Sequence, residues 1–213
     1  MVVLTFVLIV AAIVIGGDIG VRVYSEHQIA DRAKSSTGAQ SASAGIHSFP
    51  FLYHLLVEGK ANRISVHLTR VPVGLLTLDK VDVTARGVHI DVGYLISHQK
   101  VRITSIDSAD ARLTVAVPDI SSVTGIQMSI SGNTILASVA GVTIPVTVTV
   151  ASGHILTLSV QGQKAFSYDL DRSPIVPPCA LNVTVASSAV VLECQASPVP
   201  PNVVAAISDA ASG

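Results

Sequence analysis

Residues 63–92 read RISVHLTRVPVGLLTLDKVDVTARGVHIDV. Ile64, Val66 and Leu68 alternate with Arg63, Ser65, His67 and Thr69, and Val81, Val83 and Ala85 alternate with Asp82, Thr84 and Arg86. Successive side chains of a strand point to opposite faces, so this period of two predicts strands with one apolar and one polar face. At Gly87 the phase shifts, and Val88, Ile90 and Val92 continue with His89 and Asp91 between them. A glycine at a phase change predicts a β-bulge within one long strand.

Outward from this stretch the same pattern recurs. Val101, Ile103, Ala109, Ala111, Leu113, Val115 and Val117 form a second long run, which Pro118 ends. Further strands are expected over 126–130, 134–139, 144–150 and 155–160, with turns at Ser131-Gly132-Asn133, Gly141 and Ser152-Gly153. Two pieces break the alternation. Residues 49–59, FPFLYHLLVEG, predict a helix with proline in its first turn and glycine as its stop. Residues 118–123 predict another helical turn, and the Pro- and Ala-rich end from Pro198 predicts a loose tail or a short helix.

The composition excludes several classes. Of 213 residues 49% are hydrophobic and 13% charged, with a net charge of −1, which is far too apolar for a disordered chain. Thirteen Lys and Arg balance fourteen Asp and Glu, so no basic excess exists to neutralise nucleic-acid phosphates. Two cysteines cannot frame a disulfide scaffold of this length. Charge is also unevenly placed: residues 113–213 carry only Lys164 and Arg172 against Asp119, Asp169, Asp171, Glu193 and Asp209. Ser and Thr occupy the positions where a solvated sheet normally carries Lys and Glu.

The N-terminus accounts for part of the apolar excess. Residues 1–17, MVVLTFVLIVAAIVIGG, carry no charge. As a helix they would span about 26 Å, near the short limit for a hydrocarbon core of about 30 Å. A cleaved signal peptide needs a small-residue site just after the apolar core, and the one clean match, Ala42-Ser43-Ala44, lies far beyond it. An uncleaved anchor is therefore the favoured expectation and a cleaved signal the alternative. Either reading carries the rest of the chain across the membrane. Ile19, Val23, Ala30 and Ala33, at near-helical spacing, predict an amphipathic extension that stops at Ser35-Ser36-Thr37-Gly38. Cys179 and Cys194 flank a hairpin in which Leu181 would face Cys194; a disulfide between them is expected, and with it an oxidising compartment.

Gly45, Phe49, Pro50, Phe51, Leu52, Leu55 and Gly59 lie in GIHSFPFLYHLLVEGKANRISVHLTRV, which resembles the G-x-PFL…L-x-G signature of an actinobacterial envelope family. That family includes the mycobacterial lipomannan elongation factor. The resemblance extends in outline to the apolar N-terminal helix, the extension HQIADRAKSS and the long alternating strands. It implies a tubular lipid-binding-like fold of the α+β, mostly β class. In that fold a long curved antiparallel sheet wraps a helix around an apolar groove. The implied organisation is a membrane helix with its extension over 1–37, a β-rich lipid-binding-like domain over 38–198 and a tail over 199–213. The function it implies is holding or shuttling a phosphatidylinositol-type lipid or glycolipid during lipomannan and lipoarabinomannan maturation. The implied place is outside the cytoplasmic membrane, beside envelope-biosynthesis proteins.

The residues expected to line the groove are Phe49, Phe51, Leu52, Leu55 and Leu56, whose helix face could equally be core. Lys60, Arg63 and Arg70 are candidates for the lipid headgroup, since cations near a membrane attract anionic lipid. No zinc-binding spacing, nucleophile elbow or phosphate loop occurs, and Asp169-Leu170-Asp171 is too short a match to carry sugar transfer. Neither an enzyme nor a cofactor is expected. The competing reading is a non-catalytic β module of the envelope with a filled core that binds another protein.

Overall fold

The structure, a computed structural model, describes residues 2–98, 100–151, 155–170 and 179–212; side chains are described from Asp18 onward and, at the other end, as far as Asp209. Helix α1 runs Val2–Thr37, followed by β1 (Ser41–Ile46), α2 (Phe51–Leu56), β2 (Lys60–Val73), β3 (Leu76–Ile90), α3 (Val92–His98) and β4 (Ile103–Ala116). Then come α4 (Val117–Thr124), β5 (Gln127–Ser131), β6 (Thr134–Val139), β7 (Val142–Ala151), β8 (Ile155–Val160) and β9 (Gln163–Asp169). The chain closes with β10 (Asn182–Val185), β11 (Ala189–Ala196) and α5 (Pro201–Ser212).

The strands form two antiparallel sheets rather than one: β1-β2-β3-β4-β11-β10 and β5-β6-β7-β8-β9. The break falls where Pro118, in the first turn of α4, removes a backbone donor and Gly125 closes the helix in the left-handed conformation. The chain therefore leaves the first sheet after β4 and starts a second. Both sheets feed one apolar cluster. Leu76, Leu78, Val81, Leu113 and Leu192 from the first sheet meet Ile135, Leu156 and Leu158 from the second, all at 1% exposure or less. Each such side chain contributes about 1.5–3 kcal/mol relative to an exposed one. These residues pack against one another between two sheets, where a single curved sheet was expected.

The parity switch at Gly87 is present, but its form differs from a bulge. Arg86 stays opposite Arg63 and Val88 opposite Ala61, so β2 and β3 remain in register across it. The neighbouring strand β4 keeps step as well, with Arg86 opposite Ser108 and Val88 opposite Ile106. The register shift falls instead between His89 and Ile90. Gly87 has φ 60°, and a Cβ there would collide with the Asp107 side chain. Beyond this row the sheet builds a second cluster, Ala61, Val88, Ile106, Val199 and Val204. Of the two alternatives for the C-terminal stretch, a loose tail or a short helix, the helix is found, and α5 packs on β4: Val204 in it and Val199 just before it are buried, and the Ile103 N–H donates to Ser208 Oγ at 3.0 Å.

Cys179 and Cys194 are bonded, with Sγ–Sγ 2.07 Å and 15 residues of separation. Asn182 pairs with Glu193, which sets Leu181 beside Cys194 as expected. Closing so short a loop stabilises by about 3 kcal/mol in the chain-entropy account. The turns at Gly132 and Gly141 are found; the turn expected at Ser152-Gly153 lies outside the described residues, as does Asp171.

Candidate functional site

Helix α2 has only six residues, too few to be stable alone, so its contacts hold it. Pro50 stands at its N-cap. The Leu52 N–H, one of the donors left open at a helix start, donates to Asp18 Oδ1 of α1 at 2.6 Å. Just before the helix, the Ser48 hydroxyl accepts the Asn62 N–H of β2 at 2.8 Å. Phe51 is the anchor, 4% exposed. The helix ends at Val57, and Gly59 turns the chain into β2 with φ 63°. A Cβ on Gly59 would sit 3.0 Å from the Ile90 carbonyl, whose own N–H donates to the Gly59 carbonyl at 2.7 Å.

The five expected groove residues divide. Phe51 is buried and Leu52 and Leu55 are half-buried, whereas Phe49 is 64% and Leu56 49% exposed. Phe49 precedes the helix, so it does not follow the helical phase of Phe51 and Leu55. The outward side of α2 is itself apolar: Tyr53, Leu56 and Val57, at i, i+3 and i+4, are all exposed. A helix apolar on both sides departs from the usual surface pattern of one apolar stripe.

The four apolar positions expected along the extension of helix α1 also divide. Ile19 and Val23 are exposed, whereas Ala30 is half-buried and Ala33 packs against the main apolar cluster; Asp18 is 2% exposed. Polar residues make contacts as well: Glu26 Oε1 accepts the Ile46 N–H at 2.8 Å and Arg22 Nε at 3.1 Å. Backbone donors at the start of α2 and in β1 select carboxylates at Asp18 and Glu26, and Ile19 and Val23 lie outward. Asp18 Oδ2 is buried and has no hydrogen-bond partner. Among the described residues no helix is long and apolar enough to cross a membrane; the side chains of residues 1–17, on which the anchor expectation rests, lie outside them.

Lys60, Arg63 and Arg70 do not converge. They lie along β2, and ten residues of strand place Lys60 and Arg70 roughly 33 Å apart. Lys60 Nζ is 3.2 Å from Asp107 Oδ2, and Arg70 is 2.9 Å from Asp119 Oδ2. Lys60's hydrogen bond, then its charge and that of nearby His89, hold the Asp107 carboxyl below the ordinary carboxylate range. Arg63 stands opposite Arg86.

The structure instead gathers charge on the polar face of the first sheet. One row crosses all six strands: Ser43, His67, Asp82, Arg112, Glu193 and Asn182. His67 Nδ1 is 2.6 Å from Asp82 Oδ1, Arg112 pairs with Glu193 at 2.5 Å, and Arg86 pairs with Asp110 one row on. His67, Asp82, Arg86, Asp110, Arg112 and Glu193 line a shallow groove of about 690 Å³. Each positive group has an acidic partner, so the groove offers oriented donors and acceptors with little net charge. Its walls suit a polar ligand rather than an acyl chain. The alternating polar phase of each strand is visible in the sequence, but the row appears only once the register is known.

Against known proteins, no curated protein and no solved structure matches the chain. A family model described as LmeA-like phospholipid-binding matches residues 16–212. The match runs from just before Asp18 through α2 and both sheets into α5, and the chain therefore belongs to the LmeA-like phospholipid-binding family.

Proposed function

We propose that this protein is a membrane-anchored lipid-binding protein outside the cytoplasmic membrane. It holds or shuttles a phosphatidylinositol-type lipid or glycolipid during envelope assembly, as in lipomannan maturation. The observation that carries the reading is the match of nearly the whole chain, residues 16–212, to a phospholipid-binding family. The uncharged run of residues 1–17 and the exposed apolar side chains of α2 support a place at the bilayer. No covalent step is involved: burying acyl chain at roughly 0.8 kcal/mol per CH₂ supplies the affinity.

A second reading has one specific observation in its favour. The core shared by the two sheets is filled, with Leu76, Leu78, Leu113, Leu156 and Leu158 at 1% exposure or less. A filled core suits a structural module that binds another envelope protein. Native mass spectrometry of protein gently extracted from its own membrane separates the two. Lipid binding predicts a co-purifying mass that exchanges with added phosphatidylinositol. Bare protein that stays bare with added phosphatidylinositol favours the interaction module.

A further inference from the structure

Helix α2 is fixed at one height along α1. The Leu52 N–H donates to Asp18 Oδ1 at 2.6 Å, and Asp18 is the first charged residue after the uncharged run 1–17. If that run crosses the hydrocarbon core, Asp18 marks its outer boundary. A six-residue helix is about 9 Å long, so every residue of α2 lies within roughly one helix length of that boundary. At that depth α2 carries Tyr53, Leu56 and Val57 outward with Phe49 beside them, exposed by 49–67%. Exposed apolar clusters of this kind mark contact surfaces, and aromatic rings are favoured at headgroup depth. Asp18 itself is 2% exposed, held between α1 and the start of α2 by its bond to the Leu52 N–H.

We infer that α2 is an interfacial helix: Phe49, Tyr53, Leu56 and Val57 insert into the outer leaflet beside the anchor, and the bilayer is their partner. Insertion would seat the apolar side about 5–10 Å into the headgroup and acyl boundary. The anchor then does more than tether. It sets the depth of α2 and presents one end of the domain to the lipid the protein handles. The inference rests on the anchor reading under Proposed function.

The test uses the full chain reconstituted in vesicles of phosphatidylcholine and phosphatidylglycerol. Both native cysteines are in the disulfide, so single cysteines introduced as Tyr53→Cys and Val57→Cys take an environment-sensitive fluorophore cleanly. Leu75→Cys is the reference, since Leu75 is 75% exposed in the turn at the far end of β2, roughly 40 Å from Lys60 by strand rise. The expected result is quenching at 53 and 57 by brominated acyl chains and not by iodide, with the reverse at 75. Quenching of 53 and 57 by iodide places α2 in water and overturns the inference. Quenching by neither places it under protein, such as a second copy, and overturns it too. Alkaline carbonate extraction reads the anchor separately: chain retained in the membrane with iodide-accessible labels overturns the inference alone, and chain released overturns both.

Discussion

Gly87 shows how one position can organise a sheet. It combines φ 60° with the Asp107 side chain lying where a Cβ would stand. A left-handed conformation costs an L residue about 1–2 kcal/mol. In Gly87→Ala the new methyl group must also displace Asp107 from Lys60 and His89. We expect Gly87→Ala to lose about 2 kcal/mol, read as a lower urea midpoint with unchanged slope. An unaltered midpoint would mean that the strand accommodates the methyl and that the parity switch has another cause. The position was legible in the sequence as a phase change, but its mechanism was not, because Asp107 is twenty residues away and its place depends on register. The same holds for Lys60 and Arg70: each reads as an available cation until Asp107 and Asp119 are found beside it.

Element by element, the legible parts were those whose pattern is local. The long strands, the cysteine hairpin and the helical turn after Pro118 announce themselves by alternation or by proline and glycine. Strand β1, SASAGI, has small residues and almost no alternation, and only its pairing with β2 makes it a strand. Helix α1 was legible as a helix, and Ala33 packs on the core, but the contacts of Asp18 and Glu26 were not legible, since backbone donors of other segments choose them. That choice is testable. Asp18→Ala removes the acceptor for the Leu52 N–H. Local opening of α2 is then expected without global unfolding, because the main cluster does not include Asp18. Hydrogen exchange at the His54 and Val57 amides, which close the turns of α2, should speed at least about tenfold, while β3 amides keep their protection. Uniform acceleration would show that α1 supports the whole domain through this contact, and no change would show that Phe51 holds α2 unaided.

Over the whole molecule, the question raised by an apolar, charge-poor chain is how much of it fills the interior. The main cluster joins residues of both sheets, and Tyr168 of β9 ties the second sheet to the first by donating its hydroxyl to the Val73 carbonyl at 2.6 Å. Contacts of this kind cannot be lost from one sheet without loosening the other. Leu158, on β8 at 1% exposure, tests this. Truncating a buried leucine removes its transfer free energy and leaves a cavity, together about 2–5 kcal/mol. Leu158→Ala is therefore expected to lower stability by that amount in a single cooperative step. Tyrosine fluorescence in a background with Tyr24, Tyr53 and Tyr94 changed to Phe, so that Tyr168 at the join between sheets is read alone, and exchange at β3 amides of the first sheet should give the same midpoint. Separate midpoints would show two sheets able to part, which is the motion that would let an acyl chain enter between them. A shared midpoint with full loss would show that the two sheets part only when the whole domain unfolds, so that the filled core does not open between them in the folded chain.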